Sequence, residues 1–292
     1  MPALAAACLR IYEGQELVEP DINLGYIPNF LRMALGPESE VAKNSKVIYA
    51  LETLFILQAE NELSCSTAAV RHMTSALADV YTSISGAVTA LFGIRTGSKN
   101  EAVLKMLEGI GSVEKVADFI ECVKQKDCLL VGFGNLVYKN HDPRVSIIKQ
   151  LSEQVFAVTG REDLIDVAME LERLTLNDDY FISRKLYPNI DFYSCVIYKA
   201  IGFPPEFFTV LFALPRFTGW LSHWNEFIED PDNKIVRPRQ IYMGERARNY
   251  VSIGDRLDDE LAPYETTDQP NLGFQLNLPT IYSHDGGSDS VS

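Results

Sequence analysis

The residues of this chain that could do chemistry are few and scattered. Its four histidines (His72, His141, His223, His284) and five cysteines (Cys8, Cys65, Cys122, Cys128, Cys195) include no Cys-x-x-Cys pair and no cysteine and histidine at zinc-ligand spacing. No metal site is expected. The cysteines, odd in number and widely spread, read as reduced and mostly buried, and Cys195 as a core position, because no histidine neighbours it in sequence. Gly132-Phe-Gly134 lacks the third glycine and the preceding strand of a nucleotide loop. Trp220 and Trp224, four apart, read as packed core or a chain-to-chain contact rather than a stacking platform. Taken singly, Asp191 is a turn or N-cap aspartate ahead of an apolar run, and Arg144, Arg216 and Arg237 are solvated surface arginines. With 40 acidic against 26 basic residues and a net charge of −14, the chain repels nucleic acid and anionic membrane surfaces. It can hold an anion only where arginines cluster locally.

The elements that must position these residues are helical. From Ser45 to Glu62, Val47, Ile48, Leu51, Leu54, Phe55 and Leu57 recur at steps of three and four, the period of a helix. Residues 67–92 are small, apolar and weakly charged, which predicts one or two tightly packed helices with Gly86 admitting a close neighbour. Asn100 to Ile110 and Ser112 to Lys126 read as two short helices, the second capped by Ser112. Further helices are predicted over Asp163 to Leu176 and Phe192 to Ile201. Pro205 to Ile228 is the most hydrophobic long run, and Pro215 must kink or interrupt it. After Tyr250 the chain becomes a polar tail that cannot bury enough apolar surface to fold alone. With 47% apolar residues the chain can build one large core or a large and a smaller one. Met1 to Arg10 has no basic flank or long apolar run, so no secretory signal is expected. No stretch suits a membrane span, and an intracellular aqueous compartment is the default location, the compartment itself being unknown.

Six segments, in order, carry a resemblance. They are Glu62-Leu-Ser-Cys-Ser-Thr-Ala-Ala-Val-Arg-His72, Asn100-Glu-Ala-Val-Leu-Lys-Met-Leu, Gly132-Phe-Gly-Asn-Leu-Val-Tyr-Lys-Asn-His-Asp-Pro-Arg144, Tyr187-Pro-Asn-Ile-Asp191-Phe-Tyr-Ser, Phe208-Thr-Val-Leu-Phe-Ala-Leu-Pro-Arg216 and Lys234-Ile-Val-Arg237-Pro-Arg239-Gln-Ile-Tyr. Together they resemble successive motifs of the citrate synthase family over roughly residues 1 to 250, with the family's N-terminal part of the large domain not represented. The resemblance implies an all-α fold with a large helical domain, its N-terminal part missing, and a small helical domain with a cleft between. It places the large-domain remnant at 1–97 and 209–255, the small domain at 98–208 and the polar tail at 256–292.

The same resemblance supplies roles. Family arginines that fork onto the carboxylates of oxaloacetate match Arg144, Arg216 and Arg237, the last at a position that crosses between subunits. The aspartate that takes a proton from the acyl-CoA methyl group matches Asp191. Where the family has catalytic histidines, this chain has Thr96 and Asn135. Two further family histidines match Gln58 and Asn61, Asn61 being a substrate-binding position, and Lys99 departs from the pattern next to Thr96. A preorganised donor aimed at a developing oxyanion is worth roughly 10² to 10³ in rate, so two altered donors imply impaired or altered turnover. A neutral N–H from Asn135 and a hydroxyl from Thr96 offer partial substitutes.

The implied activity is a citrate synthase-like acyltransferase that condenses an acyl-CoA with oxaloacetate or a related 2-oxo acid, with specialised metabolism as its expected setting. It needs no cofactor, acyl-CoA being a co-substrate. The alternative is a non-catalytic homologue, a pseudoenzyme that binds a dicarboxylate or partners an active synthase. A remnant without a stable fold is a third reading. The expected partners are an oxaloacetate-like dicarboxylate, acyl-CoA and a second chain, as a homodimer or a heterodimer with a full-length homologue, with no nucleic acid and no membrane.

Overall fold

The computed structural model describes residues 1–255 apart from 94–96, 98, 136, 139, 162, 245, 246 and 248. Thr96 and the tail at 256–292 therefore lie outside the described residues. The chain divides into two compact units, Met1–Pro238 and Arg239–Ser292. Thirteen α-helices are described, all in the first unit: α1 (Pro2–Tyr12), α2 (Tyr26–Leu35), α3 (Glu40–Lys43), α4 (Ser45–Ala59), α5 (Cys65–Ser75), α6 (Val80–Phe92), α7 (Lys99–Ile110), α8 (Val116–Gln125), α9 (Arg144–Thr159), α10 (Asp163–Thr175), α11 (Asp179–Ser183), α12 (Ile190–Ile201) and α13 (Phe208–Glu229). Among the described residues there is no strand, only an isolated antiparallel bridge between Phe133 and Pro188. None of the described helices is long and apolar enough to cross a membrane.

Local chemistry starts these helices where the sequence says it should. Asn44 accepts from Lys46 N at 2.9 Å to open α4, and the Ser64 hydroxyl accepts from Thr67 N at 3.3 Å to open α5. Asp79 accepts from Tyr81 N and Thr82 N at 2.9 and 3.1 Å to open α6. Each satisfies N–H groups that a helix start leaves unpaired. The predicted Ser112 cap differs: Ser112 precedes a 3-10 turn at Val113–Lys115 without a side-chain cap, and α8 begins only at Val116. Pro215 does not interrupt α13. It lies inside the continuous helix, where its missing N–H leaves the carbonyl of Leu211 without the usual donor.

The apolar stripes meet in two cores. One contains Phe30, Leu51, Leu54, Leu104, Ile148, Leu171, Tyr198 and Leu211, drawn from α2, α4, α7, α9, α10, α12 and α13. The other joins α5, α6 and α13 through Val70, Ile84, Leu91 and Trp220. Trp220 and Trp224 fill the packing role their spacing predicts: Trp220 Nε1 donates to Ser66 Oγ at 3.1 Å and Trp224 Nε1 to the Ala78 carbonyl at 3.3 Å. The cysteine expectation is corrected. Cys122 and Cys128 form a disulfide, Cys8 and Cys65 are exposed, and only Cys195 is buried. The cause is the end of α8. Lys126 adopts a left-handed conformation that turns the chain back and brings the two Cα atoms to 5.3 Å, within disulfide reach.

Two glycines set helix spacing. A Cβ on Gly86 would lie 2.0 Å from Met73 Sδ, so α5 and α6 touch there as predicted; a Cβ on Gly219 would lie 2.2 Å from the Ala59 carbonyl, which fixes how closely α13 approaches the end of α4. Met73 is a flexible side chain that can swing away, whereas Ala59 O is backbone. Gly219→Ala is therefore expected to lower the unfolding free energy by about 1 to 3 kcal/mol despite its better helix propensity, and Gly86→Ala by clearly less. Urea melts of the two variants check the order, and an equal or reversed effect would contradict this packing.

Candidate active site

The end of α4 gathers the candidate residues. The side chain of Arg144, at the start of α9, donates through Nη1 to the Leu57 carbonyl at 3.3 Å; Arg216, midway along α13, donates through Nε to the Gln58 carbonyl at 3.0 Å. Two guanidinium groups 72 positions apart in sequence thus share one turn of one helix. Arg216 is 4% exposed, with Nη1 3.9 Å from Glu60 Oε1 and its guanidinium 5.0 Å from the Phe212 ring centroid.

Arg144 is fixed more completely. Its Nε and Nη2 donate to the two oxygens of Asp142 at 2.9 and 2.7 Å, and Asp142 is buried. Such a paired fork is the strong form of charge-assisted bond. The guanidinium also lies 5.7 Å from the Tyr138 ring centroid. The Tyr138 hydroxyl donates to Asn61 Oδ1 at 3.2 Å, which brings the Asn61 position to the same place.

Asp191 sits on the first turn of α12, half-buried. Its helix start is tied to the loop that carries Asn135. Asn189 accepts from Asp191 N at 3.0 Å while its own Nδ2 donates to the Gly134 carbonyl at 3.0 Å, and Gly134 N donates to the Tyr187 carbonyl at 2.8 Å. Gly132 and Gly134 both have positive φ, +81° and +80°, and a Cβ on Gly132 would strike Val103 Cγ2 at 2.7 Å. The two glycines therefore serve a tight crossing of backbone. The α7 start joins the same place: Asn100 Nδ2 donates to Ser194 Oγ at 2.5 Å, and Ser194 Oγ to the Asp191 carbonyl at 3.4 Å.

The charges at this place act on one another. Burial lifts the Asp191 carboxyl above its ordinary value, the positive charges of Lys99, Arg144 and Arg216 pull it part of the way back, and Asp142 adds to the rise. Burial lowers the Arg216 guanidinium, with Glu60 and Asp191 opposing and Arg144 adding to the fall. Arg144, Arg216 and Asp191 thus occupy one neighbourhood, with Lys99 beside it. Asn135 borders it, its Nδ2 donating to Asp142 Oδ2 at 3.4 Å and its Oδ1 accepting from Val137 N at 2.8 Å. Arg237 is not among the groups that act on Asp191 and lies exposed in the extended stretch after α13. Thr96 is outside the described residues.

Sequence reasoning missed Asp142, Tyr138 and Glu60. Asp142 had a usable signal, being two residues before Arg144 across a proline. Glu60 had none, since its partners come from three places: Asn61 N at 2.8 Å, Thr67 Oγ1 at 3.4 Å and His223 Nε2 at 3.1 Å.

Two outcomes follow from this electrostatic layout. Asp142→Asn leaves the Arg144 guanidinium without its counter-charge and is expected to cost about 3 kcal/mol in a urea melt. Asp191 has a raised value in the folded chain, so its ionised form is disfavoured there. Asp191→Asn should therefore raise the melting temperature at pH 7, and the gain should vanish below about pH 4, where the carboxyl is protonated in both states. Paired thermal melts at the two pH values check this; a gain that persists in acid would contradict it.

Comparison with known proteins agrees with the helical fold. The chain matches the family described as citrate synthase, C-terminal domain, over residues 1–239. It is 52% identical over 258 residues to the glyoxysomal citrate synthase of Cucurbita maxima, covering 88% of this chain and 50% of that protein. Among solved structures, the citrate synthase of Pyrobaculum aerophilum aligns with a TM-score of 0.78 at 34% identity, covering 87% of this chain and 62% of that one. The citrate synthase of Thermoplasma acidophilum, solved as a ternary complex with carboxymethyl coenzyme A and oxaloacetate, aligns with a TM-score of 0.78 at 32% identity, covering 87% and 66%. The chain spans about half the length of the Cucurbita maxima relative. With its helical architecture and the matched segment on the page, the chain belongs to the citrate synthase family.

Proposed function

We propose that this chain is a citrate synthase-like acyltransferase whose Arg144 and Arg216 hold a 2-oxo dicarboxylate while Asp191 acts on an acyl-CoA. The observation that supports it is the meeting of two guanidinium groups and one carboxyl of raised proton affinity in a chain of net charge −14. In this reading the Asp191 carboxylate removes a proton from the carbon next to the thioester carbonyl. The resulting enolate carbon bonds to the keto carbon of oxaloacetate or a related acid, whose oxygen becomes a hydroxyl by taking up a proton. Water then cleaves the thioester and CoA leaves as a thiol. No cofactor enters, acyl-CoA being the second substrate. A carboxyl of raised proton affinity is a stronger base toward a weak carbon acid.

The residues at the family's histidine positions set the expected rate. A Thr96 hydroxyl and an Asn135 amide are weaker donors than imidazole, so turnover is slow or suited to an altered acyl group. The link from Asn61 to Tyr138, and from Tyr138 to Arg144, supports Asn61 as a further contact for the dicarboxylate. Asn61 and Arg216 come from the expected large-domain stretches 1–97 and 209–255, and Asn135, Arg144 and Asp191 from the expected small domain 98–208, which supports reading the site as a cleft between them. Arg237, exposed, is free to reach a second chain, either another copy or a full-length homologue. The bound oxaloacetate and coenzyme A analogue named for the Thermoplasma acidophilum protein support the same pair of ligands here.

One observation favours a second reading, a non-catalytic dicarboxylate binder or partner of an active synthase. Arg144 already has both oxygens of Asp142, and an Asn135 N–H is turned to that carboxylate. Incubation with oxaloacetate and a panel of acyl-CoAs separates the two. Condensation predicts CoA release above an Asp191→Ala control together with a new carbon–carbon bonded acid. Release equal to the control, with co-purification of a full-length citrate synthase, would overturn it in favour of the second reading.

A further inference from the structure

Gln58, on the last turn of α4, is completely buried. Its Oε1 accepts from the Tyr198 hydroxyl at 2.7 Å. Its Nε2 is the one buried side-chain nitrogen or oxygen with no hydrogen-bond partner among the described residues. A buried amide donor left unmade disfavours the folded chain, so its persistence calls for an acceptor that arrives from outside.

The surroundings of Gln58 indicate which acceptor. Its own backbone carbonyl holds Arg216, and the preceding carbonyl, that of Leu57, holds Arg144. Tyr198 stands two turns beyond Asp191 on α12, and long helical side chains lean back toward the helix start. Burial raises the proton affinity of the Tyr198 phenol, so it stays a neutral donor to Gln58 Oε1. The residue that carries the unpaired donor is thus the one whose carbonyl holds Arg216.

We propose that Gln58 is a ligand-binding donor: its Nε2 donates to an oxygen of the dicarboxylate held by Arg144 and Arg216, and Tyr198 is the positioning residue that fixes the carboxamide. This rests on reading the arginine pair as a dicarboxylate site. The acceptor is an sp² oxygen, of the keto group or of a carboxylate. Tyr198 holds the carboxamide oxygen before the ligand arrives, and the side chains that cover Nε2 move aside for the ligand oxygen to reach it.

Thermal melts of the full chain with oxaloacetate and with succinate test this, because a ligand that binds only the folded state raises the melting temperature in proportion to its affinity. The variants are Tyr198→Phe, which keeps the carboxamide, and Tyr198→Phe/Gln58→Met, which replaces both partners by apolar groups of similar shape. The double variant should bind oxaloacetate about three- to tenfold more weakly than Tyr198→Phe, with a ligand-free melting temperature that is no lower. Equal weakening toward succinate assigns the bond to a carboxylate oxygen; weakening toward oxaloacetate alone assigns it to the keto oxygen. Unchanged affinity for both ligands overturns the proposal, as does a lower ligand-free melting temperature in the double variant. If Tyr198→Phe does not fold, Gln58→Met alone against the unaltered chain gives the same affinity comparison. An unaltered chain that responds to neither ligand defeats the arginine-pair reading itself and this proposal with it, an outcome distinct from a response that Gln58→Met leaves intact.

Discussion

The last turn of a helix leaves carbonyl groups without internal donors and carries the negative end of the helix dipole. In α4 the carbonyls of Leu57 and Gln58 belong to this set, and each takes a guanidinium N–H, from Arg144 and from Arg216. That shared anchorage determines most of what surrounds it. It requires α9 and α13 to arrive at one end of α4, and both pack on that helix. It also requires α13 to come close enough for a side chain to bond a carbonyl, which the missing Cβ of Gly219 allows three residues beyond Arg216.

The two arginines are not equivalent. Arg144 has a buried carboxylate bonded through both oxygens, so its position is fixed and much of its charge is already balanced. Arg216 has a looser relation to Glu60, 3.9 Å away, and Glu60 is itself drawn to His223 and the Asn61 amide. More of the uncompensated positive charge therefore resides with Arg216, and Lys99 lies exposed nearby. In an acidic chain, such a cluster of positive charge is the local exception that lets an anion approach. Asp191 borders it from the start of α12, held by the crossing of Gly132–Gly134 with Tyr187–Asn189 rather than by a bond to either arginine.

Much of this was legible in the sequence, and for identifiable reasons. Helical periods placed α4, α7, α10 and α12 within a few residues, because apolar spacing and capping side chains act locally. The short α3 and α11 have no stripe of their own and were not foreseen, nor were α1, α2 and α9. Pro215 does not interrupt α13 because a helix packed on both α4 and α5 tolerates one missing backbone bond. The Cys122–Cys128 bond was hidden because its geometry depends on a left-handed residue, Lys126, which no motif marks. Arg144, Arg216 and Asp191 were individually ordinary, and only their order among six motifs singled them out. The orphaned amide of Gln58 was invisible for a different reason: whether a buried donor is satisfied depends on three-dimensional partners that the sequence does not name.

The central claim is that two guanidinium groups anchored on one helix end act together on a doubly charged ligand. Calorimetric titration of the whole chain with oxaloacetate, and in parallel with the monoanion pyruvate, tests it most directly. The account predicts one oxaloacetate bound per chain and at least about tenfold weaker binding of pyruvate, which lacks the second carboxylate for the second arginine. Equal affinity for the two, or heat from neither, would contradict it.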